Sequence, residues 1–515
     1  MRTSRSAAAL AAGGLSLLLP VLSCPPAQAA PAASRAAAVP DDFDGDGRGD
    51  LAVGAPGAQV GGVERAGAVV VRYSRPGLAA VRLAQGTRGL PGKAEPFDNF
   101  GRTLTSGDFN GDGYADLAVA APFEDVAGAG DAGAVLVLYG SSSGLRASGA
   151  QLLAQNGPGV PGPAQDGSWF GEAMAAGDAD GDGRDELAVA APKQRVGEGT
   201  GRVVVVPGSA TGLRPRHASG WTQASAGVPG VPELYDYFGT AVVLADVDGD
   251  RRADLVVGVP GENGGGVVQV LRGSASGVTG SATPALTAPP GTSGWGGSLA
   301  TGDLDGNGRA DVVGRVTEVV GTTDEDEYDF SSLVVVRAAR DGLRQSRVAL
   351  LRTRSAKVPG PAGRADESFQ GVALGDVDGD GFDDLVAGVQ RATAAPSEEA
   401  VVWVRGSSGG LTSVGGQRIS QSSPGIPGSS EQGDGFGAAV SVTDRDADGF
   451  ADLAVGAPYE DETGRPDAGR VTLVRGSAAG PRSAGTALST RSLGLRAFAG
   501  EEFGRALSSG GARTD

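Results

Sequence analysis

The 515-residue chain has one histidine, His217, and one cysteine, Cys24. A histidine-dependent catalytic triad, a zinc centre or a disulfide framework needs more of one or the other. Aromatic residues make up only 5%, while there are 89 glycines and 30 prolines. That balance predicts many short strands joined by tight turns and disfavours long helices. Positive charge is also scarce. With 43 Lys and Arg against 61 Asp and Glu, the formal net charge is -18, so nucleic acid and anionic membrane surfaces are poor partners. Beyond the N-terminus, no run approaches the ~20 apolar residues that span a bilayer as a helix.

The N-terminus reads as a processing segment. Arg2 and Arg5 supply charge, an apolar stretch runs from Ala7 to Leu22, and Ala27-Gln28-Ala29 is a small-x-small cleavage site. Residues 1–29 are therefore expected to be a secretory signal, and 30–40, rich in Ala and Pro, a disordered lead-in. The expected location is extracellular, with a lipid anchor on Cys24 as the alternative.

One pattern then recurs along the chain. DFDGDGRGDLAVGAP begins at Asp42, and related stretches begin at Asp108, Asp178, Asp246, Asp303, Asp376 and Asp444. Successive starts are 66, 70, 68, 57, 73 and 68 residues apart. A repeat of this kind dictates architecture before any other feature does. Most copies are preceded by an aromatic-Gly pair: Phe100-Gly101, Phe170-Gly171, Phe238-Gly239, Trp295-Gly296 and Phe436-Gly437. The sixth copy, Phe369-Gln370-Gly371, is one residue short. After each acidic loop come a small apolar run, a β-branched run and a Gly-Ser-x-x-Gly turn in most copies, then a polar run and a Pro/Gly-rich connector. Each unit thus holds four short strands. Four-stranded units repeated radially make a β-propeller. The first acidic loop lacks an aromatic-Gly strand before it, and the chain ends in that strand without a loop, Phe503-Gly504-Arg505-Ala506-Leu507. The predicted fold is an all-β, seven-bladed propeller over 41–511, in which the C-terminal strand completes the N-terminal blade and removes two exposed sheet edges.

The acidic loops carry the chemistry. Calcium takes six to eight oxygen ligands, mostly carboxylates and carbonyls. In the first copy, positions one, three, five and nine are Asp42, Asp44, Asp46 and Asp50, with the backbone carbonyl of Arg48 at position seven. The second copy offers Asp108, Asn110, Asp112, Tyr114 and Asp116, and the third Asp178, Asp180, Asp182, Arg184 and Glu186. The fourth offers Asp246, Asp248, Asp250, Arg252 and Asp254, and the fifth Asp303, Asp305, Asn307, Arg309 and Asp311. The sixth offers Asp376, Asp378, Asp380, Phe382 and Asp384, and the seventh Asp444, Asp446, Asp448, Phe450 and Asp452. An EF-hand would need Glu at position twelve, which is Val53 in the first copy. Arg251 replaces the turn glycine at position six of the fourth loop, which is expected to be the weakest site. Ala447 replaces a glycine in the seventh at a position that need not coordinate. Up to seven calcium ions are expected. Loss of Arg2 and Arg5 with the leader takes the charge to -20, and seven divalent ions would offset fourteen of those charges.

Phe-Gly, then Asp-x-Asp-x-Asp-Gly-x-x-Asp-Leu, then Gly-Ala-Pro resembles the FG-GAP repeat of the propeller that heads integrin alpha subunits and related secreted bacterial proteins. The resemblance implies calcium at the hairpins between the first and second strands of each blade, and ligand binding on the opposite rim. No inserted adhesion domain, leg domain or membrane anchor accompanies the repeats, so a binding module is expected and not a signalling receptor. The expected function is adhesion-type binding of an unidentified protein or glycan by a monomer, and the alternative is a secreted glycan- or lipid-directed hydrolase. Candidate contact points are the second-to-third strand loops with Glu124, Asp125 and Asp131 and with Glu460, Asp461, Glu462 and Asp467, the Val-Pro-Gly connectors, and the fifth-blade run from Asp324 to Asp329. Gly140-Ser141-Ser142-Ser143-Gly144 matches a nucleophile-elbow pattern, but it falls on a turn that other copies repeat. No catalytic residue is assigned. Arg48-Gly49-Asp50 spells an adhesion tripeptide, yet only its acid recurs among the copies, so Asp50 is expected to face metal.

Overall fold

The architecture rests on seven hydrogen-bonded sheets. A computed structural model describes residues 38–508 other than 198, 281–282, 321–327, 361–366, 392–398, 432 and 463. The signal segment, most of the lead-in, Cys24 and most of the Asp324–Asp329 run lie outside the described residues.

The second blade is representative. Its strands Thr103–Gly107, Asp116–Ala121, Ala134–Tyr139 and Arg146–Ala154 pair antiparallel in chain order. The second and third strands are buried along their whole length, as expected of near-continuous Val, Leu and Ala runs covered on both faces. In the first blade, Leu51–Ala55 is flanked on one side by Ala68–Arg72 and on the other by Ala506–Leu507 from the far end of the chain. The innermost strands touch in succession around the ring and return to the first. The seven-bladed, C-terminally closed propeller read from the repeats is the observed fold. Among the described residues the only helices are three-residue 3-10 turns, and no helix is long and apolar enough to cross a membrane.

The scarce aromatics occupy the joints. Seven apolar clusters fill the seven blade interfaces, each with one aromatic of the repeat: Phe100, Phe170, Phe238, Trp295, Phe369, Phe436 and Phe503, all at most 2% exposed. The glycine after the aromatic has its own reason. Gly101 sits at φ +90°, and a Cβ there would lie 2.6 Å from the Ala68 carbonyl oxygen. Gly54, the first glycine of Gly-Ala-Pro, lets the Gly101 carbonyl of the next blade approach, since a Cβ on Gly54 would lie 2.1 Å from that oxygen. Gly101→Ala is therefore expected to cost roughly 1–3 kcal/mol of unfolding free energy through backbone strain, read as a lower midpoint in urea.

Departures from the repeat are absorbed locally. In the sixth blade, where the Phe-to-loop spacing is one residue shorter, the first strand carries a bulge: Phe369 pairs with Val389 and Val372 with Ala387, so two residues face one and the register recovers. The fifth blade, which lacks the Gly-Ala-Pro turn, extends its second and third strands to Asp311–Val320 and Tyr328–Val336 and gains a short strand, Thr292–Ser293. The inner strands line a central cavity of about 590 Å³ with a mixed polar and apolar wall, to which Ala38, Val39 and Pro40 of the lead-in contribute.

Candidate metal centres

Each acidic loop is folded around its own first carboxylate. Asp42 Oδ1 accepts the N–H groups of Gly45 and Asp46 at 2.7 and 3.1 Å, and its Oδ2 accepts that of Gly47 at 2.8 Å. Asp108, Asp178 and Asp246 repeat the pattern. The turn needs left-handed backbone at positions four and six, normally glycine. Arg251 nevertheless takes φ 69° at position six and Ala447 φ 58° at position four, and the Arg251 N–H still reaches Asp246 Oδ2 at 2.7 Å. The fourth loop therefore keeps the hydrogen-bonded turn of the others.

Position nine ties the loop to the blade. Asp50 is 1% exposed, with Oδ2 accepting the Phe43 N–H at 3.0 Å and Oδ1 the Ser74 N–H at 2.7 Å. Asp116 holds Phe109 and Gly140 in the same way, and Glu186, one methylene longer, holds Ala179 and Gly208. Asp50 is thus buried inside the fold, and the acid of Arg48-Gly49-Asp50 is not presented at the surface. Burial, reinforced by neighbouring carboxylates, pushes Asp50, Asp254, Asp311 and Asp384 up to about 7 and Glu186 to about 8.

The carboxylates converge. Single oxygens of Asp42, Asp44 and Asp50 lie within 4.8 Å of one another, as do those of Asp178, Asp180 and Glu186, of Asp303, Asp305 and Asp311, and of Asp376, Asp378 and Asp384. Asp246 and Asp248 converge with Asp250 instead of with position nine. Several acidic-loop oxygens are buried with no hydrogen-bond partner: Asp44 Oδ2, Asp311 Oδ2, Asp378 Oδ1 and Asp446 Oδ1. An unpartnered buried carboxylate oxygen is costly, and an all-oxygen set suits a hard cation.

The opposite rim is built differently. A glutamine at the end of a fourth strand reaches the second-to-third strand loop of the next blade: Gln85 Nε2 donates to Glu124 at 2.6 Å, Gln223 to Glu262 at 2.6 Å, and Gln421 to Glu460 at 2.5 Å. The sequence marks Glu124 and Glu460 as rim contact candidates, but both are buried and occupied in this way. Each also shares a hydrogen bond with a connector carboxyl, Asp98 or Asp434. Burial, then the Glu124 charge, pushes Asp98 up to about 8, and burial pushes Glu460 up to about 7. An acid raised in the folded state stabilises it fully below its unfolded value, and that contribution is lost as pH rises through the folded value. In saturating calcium, Tm is expected to fall as pH rises from about 5 to 8.5, and Asp98→Asn with Asp434→Asn to flatten that slope.

What this rim does expose is apolar. Val231, Leu234 and Tyr235, on the connector into the fourth blade, are 69, 50 and 65% exposed. Tyr235 and Tyr237, at φ 73° and 57°, place their rings 6.1 Å apart. The glycine-serine turns at the other rim are structural: Ser141 Oγ donates to the Gly144 carbonyl at 2.7 Å, and Ser209, Ser274 and Ser477 do the same in theirs. His217 is exposed in a 3-10 turn.

Comparison with known proteins agrees with this construction. The family described as FG-GAP repeat matches residues 34–71, 100–138, 170–206, 369–404 and 436–474, and FG-GAP-like repeat matches 246–314. Phosphatidylinositol-glycan-specific phospholipase D of Mus musculus is 37% identical over 153 residues, 29% of this chain and 17% of that protein. The Bos taurus enzyme is 35% identical over 176 residues, 33% of this chain and 20% of its own length. Integrin alpha-PS5 of Drosophila melanogaster is 36% identical over 163 residues, 30% of this chain and 14% of that protein. The chain thus spans a fifth or less of the length of these relatives. Exotype rhamnogalacturonan lyase YesX covers 88% of this chain and 64% of its own at 16% identity, with a TM-score of 0.38, a fit too loose to bear on function.

Proposed function

From the premise that the chain belongs to the FG-GAP repeat family, we propose that it is a secreted, calcium-stabilised propeller that binds a protein or glycan at the rim opposite its acidic loops. The observation that carries the calcium reading is the set of buried, unpartnered oxygens on Asp44, Asp311, Asp378 and Asp446. In each loop, positions one, three, five and nine would hold the ion with the position-seven carbonyl. The ion would supply charge compensation and rigidity, making its binding part of the folding free energy. Support for the binding rim comes from Val231, Leu234 and Tyr235, large apolar side chains held out in solvent on a backbone with two strained tyrosines. Strain of this kind clusters at ligand sites.

The test is retention. Immobilised protein in calcium is offered glycan arrays and envelope extracts, beside a Leu234→Ser/Tyr235→Ser double variant. Specific retention by the parent and its loss in the variant support the reading; equal retention by both overturns it. The similarity to phospholipases D favours one second reading, a secreted hydrolase. Turnover of a glycan-lipid substrate would establish that reading in place of the binding module.

A further inference from the structure

A second cavity, of about 420 Å³, opens between the second and third blades, and no acidic-loop residue lines it. One side is the outermost strand of the second blade, Arg146–Ala154, and the other is the 3-10 turn Pro215–His217 that leads into the outermost strand of the third. Leu152, Leu153 and Val160 give it an apolar wall, with Leu152 42% exposed. Arg214, Arg216 and His217 stand at the same cavity, all exposed. The two sides are held in place. Gln151 Nε2 donates to the Leu213 carbonyl at 3.1 Å, and the Leu213 N–H donates to Tyr139 Oη at 2.8 Å. Gly159, at φ +87°, lets the turn come close, since a Cβ there would lie 2.4 Å from the Arg216 Cα.

The fifth blade repeats this turn and treats it differently. Gly342-Leu343-Arg344-Gln345-Ser346-Arg347 stands where the third blade has Gly212-Leu213-Arg214-Pro215-Arg216-His217. There, Gln345 Oε1 accepts the Thr287 N–H at 2.7 Å and its Nε2 donates to the Thr287 carbonyl at 3.1 Å, so the side chain bridges to the outermost strand of the fourth blade. Arg344 Nε donates to Asp341 at 2.6 Å, and Arg347 Nη1 to the Ala338 carbonyl at 3.2 Å. In the third blade Pro215 has no side-chain donor or acceptor to make that bridge, and Thr211 replaces the acid at the Asp341 register. Among the described residues, the side chains of Arg214, Arg216 and His217 have no hydrogen-bonded or ionic partner.

We propose that this cavity binds a single-chain amphiphilic anion, with the alkyl chain along Leu152, Leu153 and Val160 and the anionic head at Arg214 and Arg216. The volume falls within the roughly 300–1,000 Å³ of small-molecule sites, which pair an apolar lining with a few placed polar groups. Guanidinium groups match a carboxylate, sulfate or phosphate head through paired hydrogen bonds. Three basic side chains without counter-ions are complementary to such a head on a chain whose formal charge is -18. That same overall charge disfavours approach to an anionic bilayer, so the ligand is a free monomer and not a membrane surface.

Calorimetric titration of the full chain in calcium with decyl sulfate below its micellar concentration tests this. One site is expected, with decanol and inorganic sulfate each at least ~10-fold weaker. Arg214→Gln/Arg216→Gln should weaken decyl sulfate by ~10-fold or more, as expected for the loss of charge-assisted hydrogen bonds. Thr211→Asp/Pro215→Gln, which gives the third blade the plug and counter-ion of the fifth, should abolish binding with the Tm unchanged. Sedimentation with phosphatidylglycerol vesicles should leave the protein in the supernatant. Absence of heat, decanol or sulfate binding as tightly as decyl sulfate, undiminished binding by the Thr211→Asp/Pro215→Gln variant, or retention on the vesicles overturns the proposal. Calcium binding and the exposed rim patch are independent of every one of these outcomes.

Discussion

Chelation with EDTA is expected to lower the Tm of this propeller by roughly 10–20 °C. At free calcium near 100 times Kd, each filled site stabilises the folded state by about 2.7 kcal/mol. Three such sites already approach ~8 kcal/mol, within the ~5–15 kcal/mol that typical domains possess in total. For large domains a change of 1 kcal/mol moves Tm by roughly 2 °C or less. The direction also follows from what chelation leaves behind. Asp42, Asp44 and Asp50 lie within 4.8 Å of one another and are at most 3% exposed. Without an ion they must either repel or take up protons, and burial already holds Asp50 near 7. Scanning calorimetry in calcium and in EDTA checks the prediction, and superimposable melts would refute it.

Removal of the chain after Gly500 is expected to cost more than any single substitution. It deletes Phe503, fully buried between the seventh and first blades, and Ala506–Leu507, the inner strand of the first blade. It also removes Glu501, paired to Arg82 at 2.7 Å, and Ser508, whose N–H donates to the Ala52 carbonyl at 2.9 Å and whose carbonyl accepts from Ser441 Oγ at 2.8 Å. Asp41, fully buried, hydrogen-bonds both Ser106 and Ser508, so the two ends of the described chain are tied side chain to side chain. Phe503→Ala alone should cost about 3–5 kcal/mol as a large buried cavity. The truncated chain should be aggregation-prone on size exclusion and rapidly cleaved by trypsin, because it leaves Leu51–Ala55 as an open edge. A truncated protein with the parent's urea midpoint would show that closure contributes nothing.

Much of this was legible in the residues. Blade number, strand order, loop position and the C-terminal closure follow from one spacing and from the orphan Phe503-Gly504 at its end. What escaped is mostly long-range or conformational. Arg272, Arg405 and Arg475 stand 24–29 residues after the acids they meet, and only the strand register brings them there. Arg251 looked like a defect because left-handed backbone favours glycine, yet it takes φ 69° and its N–H still reaches Asp246; Ala447, at a non-coordinating position, takes φ 58° as well. Glu124 and Glu460 read as solvated loop charge. Nothing near them in the chain indicates that Gln85 and Gln421, 39 residues earlier, bury them. The exposed Leu234 and Tyr235 carried no local signal beyond an unusual connector.

The closing strand also sets how the ring responds to force. Val53 pairs with Leu507 and Gly54 with Ala506, antiparallel, so the chain leaves this pair at Leu51 and at Ser508 from the same end. Tension applied across those two points peels the bonds one after another and does not load them together in shear. Heat must disrupt seven interfaces cooperatively, whereas a pull at this joint meets the closing contacts in turn: the ties of Ser508 and the two strand pairs first, then Phe503 and the Glu501–Arg82 pair.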